Sequence, residues 1–167
     1  VITSDNGLVT ITGGKWTSYR LMAEDTVDKA IEVCGLPKRK CVTKKFRIHG
    51  YRKNPDLTDH MYVYGSDEPK ILQLIEKEPA LGEKLSEKFG YTLAEVVWAV
   101  REEMAITLED VLARRVRLLF VDAREAIAAA PKAAAIMARE LGRDQAWIDE
   151  QVKSFTDLAK NYIFEQK

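Results

Sequence analysis

The sequence predicts a mainly α-helical chain, a small bundle of about five to six helices preceded by one strand–turn–helix unit. Three observations lead there. From residue 66 onward apolar residues recur at three- and four-residue spacing, and a polar cap precedes several of the runs. Before that point a single β-branched run is bounded by glycines on both sides. No segment recurs at a fixed period, so a solenoid is excluded.

The β-branched run is Leu8-Val9-Thr10-Ile11-Thr12, a short strand between Gly7 and Gly13-Gly14. After the glycines, Tyr19, Leu21, Met22, Val27, Ala30, Ile31 and Val33 mark an amphipathic helix that stops at Gly35, with Pro37 just beyond. Residues 37–66 read as a linker wrapping over a surface, with a turn at Asn54-Pro55-Asp56 and a brief strand or extended piece at Met61-Tyr62-Val63-Tyr64. Ser66-Asp67-Glu68-Pro69 opens a helix carrying Ile71, Leu72, Leu74 and Ile75. A short helix is expected over residues 79–89, ending at Gly90. Thr92-Leu93-Ala94-Glu95 is a capping box, and Val96, Val97, Ala99, Val100 and Met104 follow on one side. Thr107-Leu108-Glu109-Asp110 starts another helix, with Asp in place of the usual Glu or Gln. Residues 122–129 continue or restart it, and Pro131 is expected to open the next, which ends at Gly142. Asp144 caps a last helix through Trp147, Ile148, Val152, Phe155, Leu158 and Ile163.

This order divides the chain into a terminal β-α piece at 1–36, the wrapping segment at 37–66 and a helical domain at 67–167. A lone strand and helix cannot bury both faces or satisfy their edges. Residues 1–36 are therefore expected to belong to a larger α/β domain. The start at Val1-Ile2-Thr3-Ser4-Asp5 has no Met and no basic, hydrophobic leader, and reads as the beginning of a fragment.

Composition narrows the function classes. The 167 residues carry 26 basic and 26 acidic side chains, so no global field draws nucleic acid. No apolar run reaches the roughly 18 residues of a membrane span. Cys34 and Cys41 form no Cys-x-x-Cys, and His49 and His60 are the only histidines, which argues against a metal site and for a reduced, cytoplasmic protein.

The one local pattern with ligand chemistry is Gly13-Gly14-Lys15 between strand and helix. Glycines permit positive φ and a close backbone approach, and helix-start amides favour a negative group. Lys15 adds a point charge, and Thr17, Ser18 and Tyr19 add hydroxyls. A phosphate-binding loop is excluded, since Trp16 follows Gly14-Lys15 and Val9 stands at the first glycine position. On spacing alone an ordinary βα connection with a solvated lysine is the better reading.

Two longer matches change that weighting. Leu8 through Arg20, wording Thr12-Gly13-Gly14-Lys15-Trp16-Thr17-Ser18-Tyr19-Arg20 at its end, and then Met22-Ala23-Glu24-Asp25, closely resemble the segment that closes the FAD-binding domain of flavin-dependent glycerol-3-phosphate dehydrogenases. Ala99-Val100-Arg101-Glu102-Glu103-Met104-Ala105, Thr107-Leu108-Glu109-Asp110-Val111-Leu112-Ala113-Arg114-Arg115 and Val116-Arg117-Leu118-Leu119-Phe120-Val121-Asp122 resemble that family's C-terminal helical domain. The departures, Ile106 where a polar or basic residue is common and Val116 where Thr is common, touch no chemistry.

The resemblance implies an enzyme that oxidises sn-glycerol 3-phosphate to dihydroxyacetone phosphate, passing a hydride to FAD and electrons on to quinone or oxygen. It implies that Gly13, Gly14, Lys15, Trp16 and Thr17 border the flavin. It leaves Lys15 two roles, stabilising charge on the reduced ring or facing the substrate. The dinucleotide fingerprint G-x-G-x-x-G is absent, so the partner that holds FAD is the N-terminal domain of the same polypeptide, and the fragment alone is expected to be inactive. Localisation is expected to be cytoplasmic. A peripheral membrane contact through the lysines of residues 38–45, and a homodimer, stay open.

Other residues read more plainly. Arg114, Arg115 and Arg117 are expected to pair with Glu109, Asp110 and Asp122. Trp98 and Trp147 read as core, and Trp16 as wet or domain-facing. His49 and His60 stand outside any carboxylate–histidine constellation. A stand-alone helical interaction or oligomerisation module is the alternative to the enzyme reading, and a helical nucleic-acid binder using the arginines is weaker still.

Overall fold

The computed structural model describes residues 1–164 and is mainly α-helical, with a single two-stranded sheet among those residues. It divides into two compact units, residues 1–49 and 50–167.

In the first unit, β1 (Ile2–Thr3) pairs antiparallel with β2 (Val9–Thr10), Ile2 opposite Thr10 and Thr3 opposite Val9. The connection closes through Ser4 N–H to the Leu8 carbonyl at 3.0 Å and Gly7 N–H to the Ser4 carbonyl at 2.9 Å. A 3₁₀ turn at Trp16–Ser18 leads into α1 (Tyr19–Val33). Gly35 ends α1 at φ +62, and Leu36 N–H reaches back to the Ile31 carbonyl at 2.9 Å, the bonding of a Schellman stop. The predicted strand survives only as β2, because nothing else in the unit offers a ladder to residues 11 and 12.

No residue of α1 is buried. Met22, Ala30 and Ile31 are only half-buried, and Leu21, Val27 and Val33 stay exposed, as do Leu8, Val42, Phe46 and Ile48. An amphipathic helix beside two-residue strands has too little surface to cover. This unit carries apolar faces without a core of its own.

The second unit holds the core. A 3₁₀ stretch, His60–Asp67, replaces the predicted extended piece at residues 61–64, and Asp59 caps it by accepting Met61 N–H at 2.9 Å. Then come α2 (Glu68–Lys77), α3 (Leu93–Glu102), a π-helical turn at Asp110–Arg115, α4 (Leu118–Val121), α5 (Ala123–Leu141) and α6 (Gln145–Lys160). α5 is central and packs on α3, α4 and α6. Ala126, Ala129, Ala130, Ala133 and Ala134 line its buried side and admit close approach of neighbouring helices, while Ile71, Val96, Val97, Leu108, Leu112, Leu118 and Met137 fill the space between.

Two sequence expectations are corrected here. Pro131 does not open a helix: it lies inside α5, which starts at Ala123. Asp122 caps that start by accepting Arg124 and Glu125 N–H groups, both at 3.1 Å. The proline ring faces solvent, and buried alanines on both sides of it hold the helix through a break that costs about 3 kcal/mol in isolation. Residues 79–89 are not a helix beyond Pro79–Gly82. The following residues pair back, with Leu85 N–H on the Tyr91 carbonyl at 2.8 Å and Leu93 N–H on the Glu83 carbonyl at 3.0 Å. The Ser86 hydroxyl takes the Lys88 N–H and donates to Glu125 at 2.6 Å, competing with a helical backbone there.

The Thr107 start forms as a capping box in which Asp substitutes for Glu. Asp110 accepts the N–H groups of Ile106 (3.2 Å) and Thr107 (2.9 Å) and the Thr107 hydroxyl (2.8 Å), and the same hydroxyl accepts Asp110 N–H.

Candidate functional site

Gly13 and Gly14 both sit at positive φ, +80 and +91. A Cβ at Gly13 would meet nothing within 4 Å, whereas one at Gly14 would strike the Met22 sulfur at 2.5 Å. The first glycine thus keeps its backbone bare toward open space, and the second lets the turn close over α1. Lys15 follows in extended conformation. Its carbonyl takes both the Ser18 N–H and the Ser18 hydroxyl at 2.9 Å, fixing the start of the 3₁₀ turn. The Trp16 ring stacks on Tyr19 with centroids 5.5 Å apart and is 86% exposed.

Gly13, Gly14, Lys15, Trp16 and Tyr19 line an open cavity of about 560 Å³ with Ile11, Met22 and Val27. Lys15 is the only charged residue in its wall, and its ammonium has no hydrogen bond or ion pair among the described residues. Gly13, Gly14, Lys15 and Trp16 are therefore brought together at one mouth. Thr17 is not: it is exposed in the 3₁₀ turn and outside the cavity wall. The arrangement offers bare backbone, an apolar wall and one unpaired cation, a surface suited to the edge of a large planar anion or electron-rich ring. It has no walls to enclose such a group alone.

The arginine cluster resolves into distinct roles. Arg114 binds Glu109 at 2.5 Å and Asp110 at 2.9 Å, the two acids expected from sequence. Arg115 turns to Glu103, donating to its backbone carbonyl. Asp122 pairs instead with Lys88, at 3.5 Å, beside Glu125. Arg117 is exposed, in left-handed conformation (φ 59), and has no such partner among the described residues.

His60 requires a correction, because it does sit in a carboxylate–histidine constellation. Its Nε2 lies 3.1 Å from Glu95 and its Nδ1 3.4 Å from Asp59. Glu95 is buried, 1% exposed, and also accepts the Tyr64 hydroxyl at 3.0 Å and the Thr92 N–H at 2.7 Å. The contacts span 31 and 35 residues, so no local spacing announces them. Only the Thr92–Glu95 capping box marked Glu95 as a carboxylate held at a helix start. The network joins the His60–Asp67 stretch to α3, in the second unit.

The hydrogen bond to Glu95 raises the His60 pKa above its ordinary value, against a smaller opposing effect of burial. A raised folded-state pKa gives stability that is full below the unfolded value of about 6.5 and is lost as pH rises through the folded value. The thermal midpoint of this unit is expected to fall as pH is raised from about 6.5 through the raised value. His60→Gln should flatten that segment of the profile. An identical slope in both proteins would remove His60 as its source.

The family described as the C-terminal domain of alpha-glycerophosphate oxidase matches residues 10–148. A probable mitochondrial glycerol-3-phosphate dehydrogenase of Caenorhabditis elegans is 34% identical over 95% of this chain and 24% of its own length. One of Dictyostelium discoideum is 34% identical over 96% of this chain and 27% of its own length. The mitochondrial glycerol-3-phosphate dehydrogenase of Schizosaccharomyces pombe is 32% identical over 98% of this chain and 31% of its own length. The chain thus spans about a quarter of the length of the curated relatives it matches. No solved structure matches. The chain belongs to the family of C-terminal domains found in alpha-glycerophosphate oxidase and the glycerol-3-phosphate dehydrogenases similar to it.

Proposed function

We propose that this chain is the C-terminal part of an FAD-dependent enzyme that oxidises sn-glycerol 3-phosphate to dihydroxyacetone phosphate, and that the Gly13–Trp16 turn borders the flavin. The observation that carries the reading is the pairing of a bare glycine turn and unpartnered Lys15 with a first unit that has apolar faces and no core. Such a unit fits the end of a larger α/β domain, and the relatives' length leaves about three quarters of the polypeptide to supply it.

When bound, FAD would supply the hydride acceptor. The chain's own part is electrostatic and positional. The turn amides and the Lys15 ammonium would stabilise negative charge that develops during reduction, without forming a covalent bond. Gly13 keeps the approach open, since no atom lies within 4 Å of its Cβ position. Trp16, stacked on Tyr19, would close one side of the site against water. Thr17 belongs to the same turn, although its hydroxyl does not reach the cavity wall. The adenosine and pyrophosphate would be held by the N-terminal domain, so residues 1–167 alone would be inactive. We take the electron acceptor as a quinone, with oxygen the acceptor that the oxidase-named family brings in as the alternative.

The test is Lys15→Ala in the full-length enzyme, with flavin content and glycerol 3-phosphate turnover measured separately. Turnover is expected to fall about a hundredfold to a thousandfold while flavin is retained, the scale of losing one preorganised charge-stabilising group. Normal turnover at normal flavin content would take Lys15 out of the site.

A further inference from the structure

The second unit also exposes apolar surface that its own fold leaves uncovered. Phe120, on α4, meets Tyr162, just past α6, edge-to-face with centroids 5.6 Å apart. The two are 56% and 50% exposed, and Val121 and Phe164 beside them are 57% and 86% exposed. One turn before Phe120 stands Arg117, whose carbonyl accepts Phe120 N–H at 3.1 Å and whose guanidinium feels Tyr91 but has no hydrogen bond or ion pair among the described residues. Arg114 and Arg115, by contrast, are engaged. Exposed aromatic side chains close in sequence to an arginine without an acid partner are the composition of an interface centre rather than of a solvated face.

Size decides between occupants. An aromatic side chain buries about 150–250 Å² when fully covered, so Phe120 and Tyr162, about half covered, and Phe164, mostly exposed, together offer a few hundred Å². A stable dimer of free copies needs roughly 800 Å² on each partner. A partner on the same polypeptide needs far less, because the tether holds it at an effective concentration near the millimolar range. The relatives' length places such a partner within reach.

We infer that Arg117, Phe120, Val121 and Tyr162 form the surface on which the flavin-binding part of the same polypeptide, the part preceding Val1, docks against the helical unit, with Arg117 meeting a carboxylate there. This rests on the proposed function, and it adds the docking residues. The surface lies in the second unit, away in sequence from the glycine turn.

Hydroxyl-radical footprinting of the full-length enzyme tests it, with flavin content recorded on the same sample and Tyr62, 42% exposed, as internal reference. Phe120 and Tyr162 are expected to be labelled several-fold less than Tyr62, equally at low and high protein concentration and without lipid. Phe120→Glu should restore labelling of Tyr162, while Val63→Glu, at another exposed position, should not. Labelling of Phe120 and Tyr162 as fast as Tyr62 in a flavin-loaded sample would overturn the docking surface and leave the proposed function standing. Protection that grows with protein concentration would assign the patch to a second copy, and protection only with anionic vesicles to a membrane. Either result overturns the proposal. A full-length protein without flavin would instead sink the reading beneath it.

Discussion

Gly65→Ala is expected to destabilise the helical unit by about 3 kcal/mol or more. Gly65 is buried within the His60–Asp67 stretch at φ 53 and ψ −118, a conformation that L side chains rarely adopt. A Cβ there would lie 1.8 Å from the Gly50 carbonyl oxygen and 2.9 Å from its carbon. The obstacle is backbone, so no rotamer change relieves it. The same carbonyl accepts Ser66 N–H at 3.2 Å, and moving it away would break the bond that ties residue 50 to the start of α2. Gly142→Ala is the comparison. Gly142 also has positive φ, +64, but its Cβ position is open, so only the left-handed penalty of about 1 kcal/mol applies. Chemical denaturation of both variants checks the difference. Equal small losses would show that the residue 50 strap yields freely.

Glu95→Ala is expected to cost about 3–5 kcal/mol, the range for removing one member of a buried charged network. The carboxylate serves Tyr64, Thr92 and His60 at once, and no buried side-chain polar atom among the described residues lacks a partner. Removal strands the Tyr64 hydroxyl and the Thr92 N–H in a dry environment and takes the counter-charge from His60. Glu95→Gln keeps the shape but must turn an NH₂ group toward donors. It should cost less than Ala and still abolish the rise in the His60 pKa. A loss below about 1 kcal/mol for Glu95→Ala would mean water replaces the carboxylate, contradicting its burial.

What could be read from the sequence is what local chemistry fixes. The Thr92–Glu95 and Thr107–Asp110 boxes, the Asp144 cap and the Gly35 and Gly142 stops all form within a few residues, and each stands where the pattern put it. Where tertiary packing competes with local preference, reading failed. Pro131 announced a helix start, yet the buried alanines around it carry α5 straight through. The 79–89 run has helical spacing, yet Leu81 reaches the core from a 3₁₀ turn and Leu85 from the segment that pairs back on residue 91. His60 looked isolated because its partner lies 35 residues away. The glycine turn is intermediate. Its backbone freedom follows from Gly13 and Gly14 alone, but a two-glycine turn with a lysine is common, and the flavin proposed for it rests on the resemblance that extends over the downstream helices.

On the proposed function, this chain completes a flavoenzyme, and its first unit lacks a core because the rest of the polypeptide supplies it. Anaerobic addition of sn-glycerol 3-phosphate to the purified full-length protein, followed by absorbance, tests it most directly. A flavin spectrum that bleaches on addition is expected, with residues 1–167 alone colourless. A full-length protein that is colourless or does not bleach, or a fragment that carries reducible flavin by itself, would contradict it.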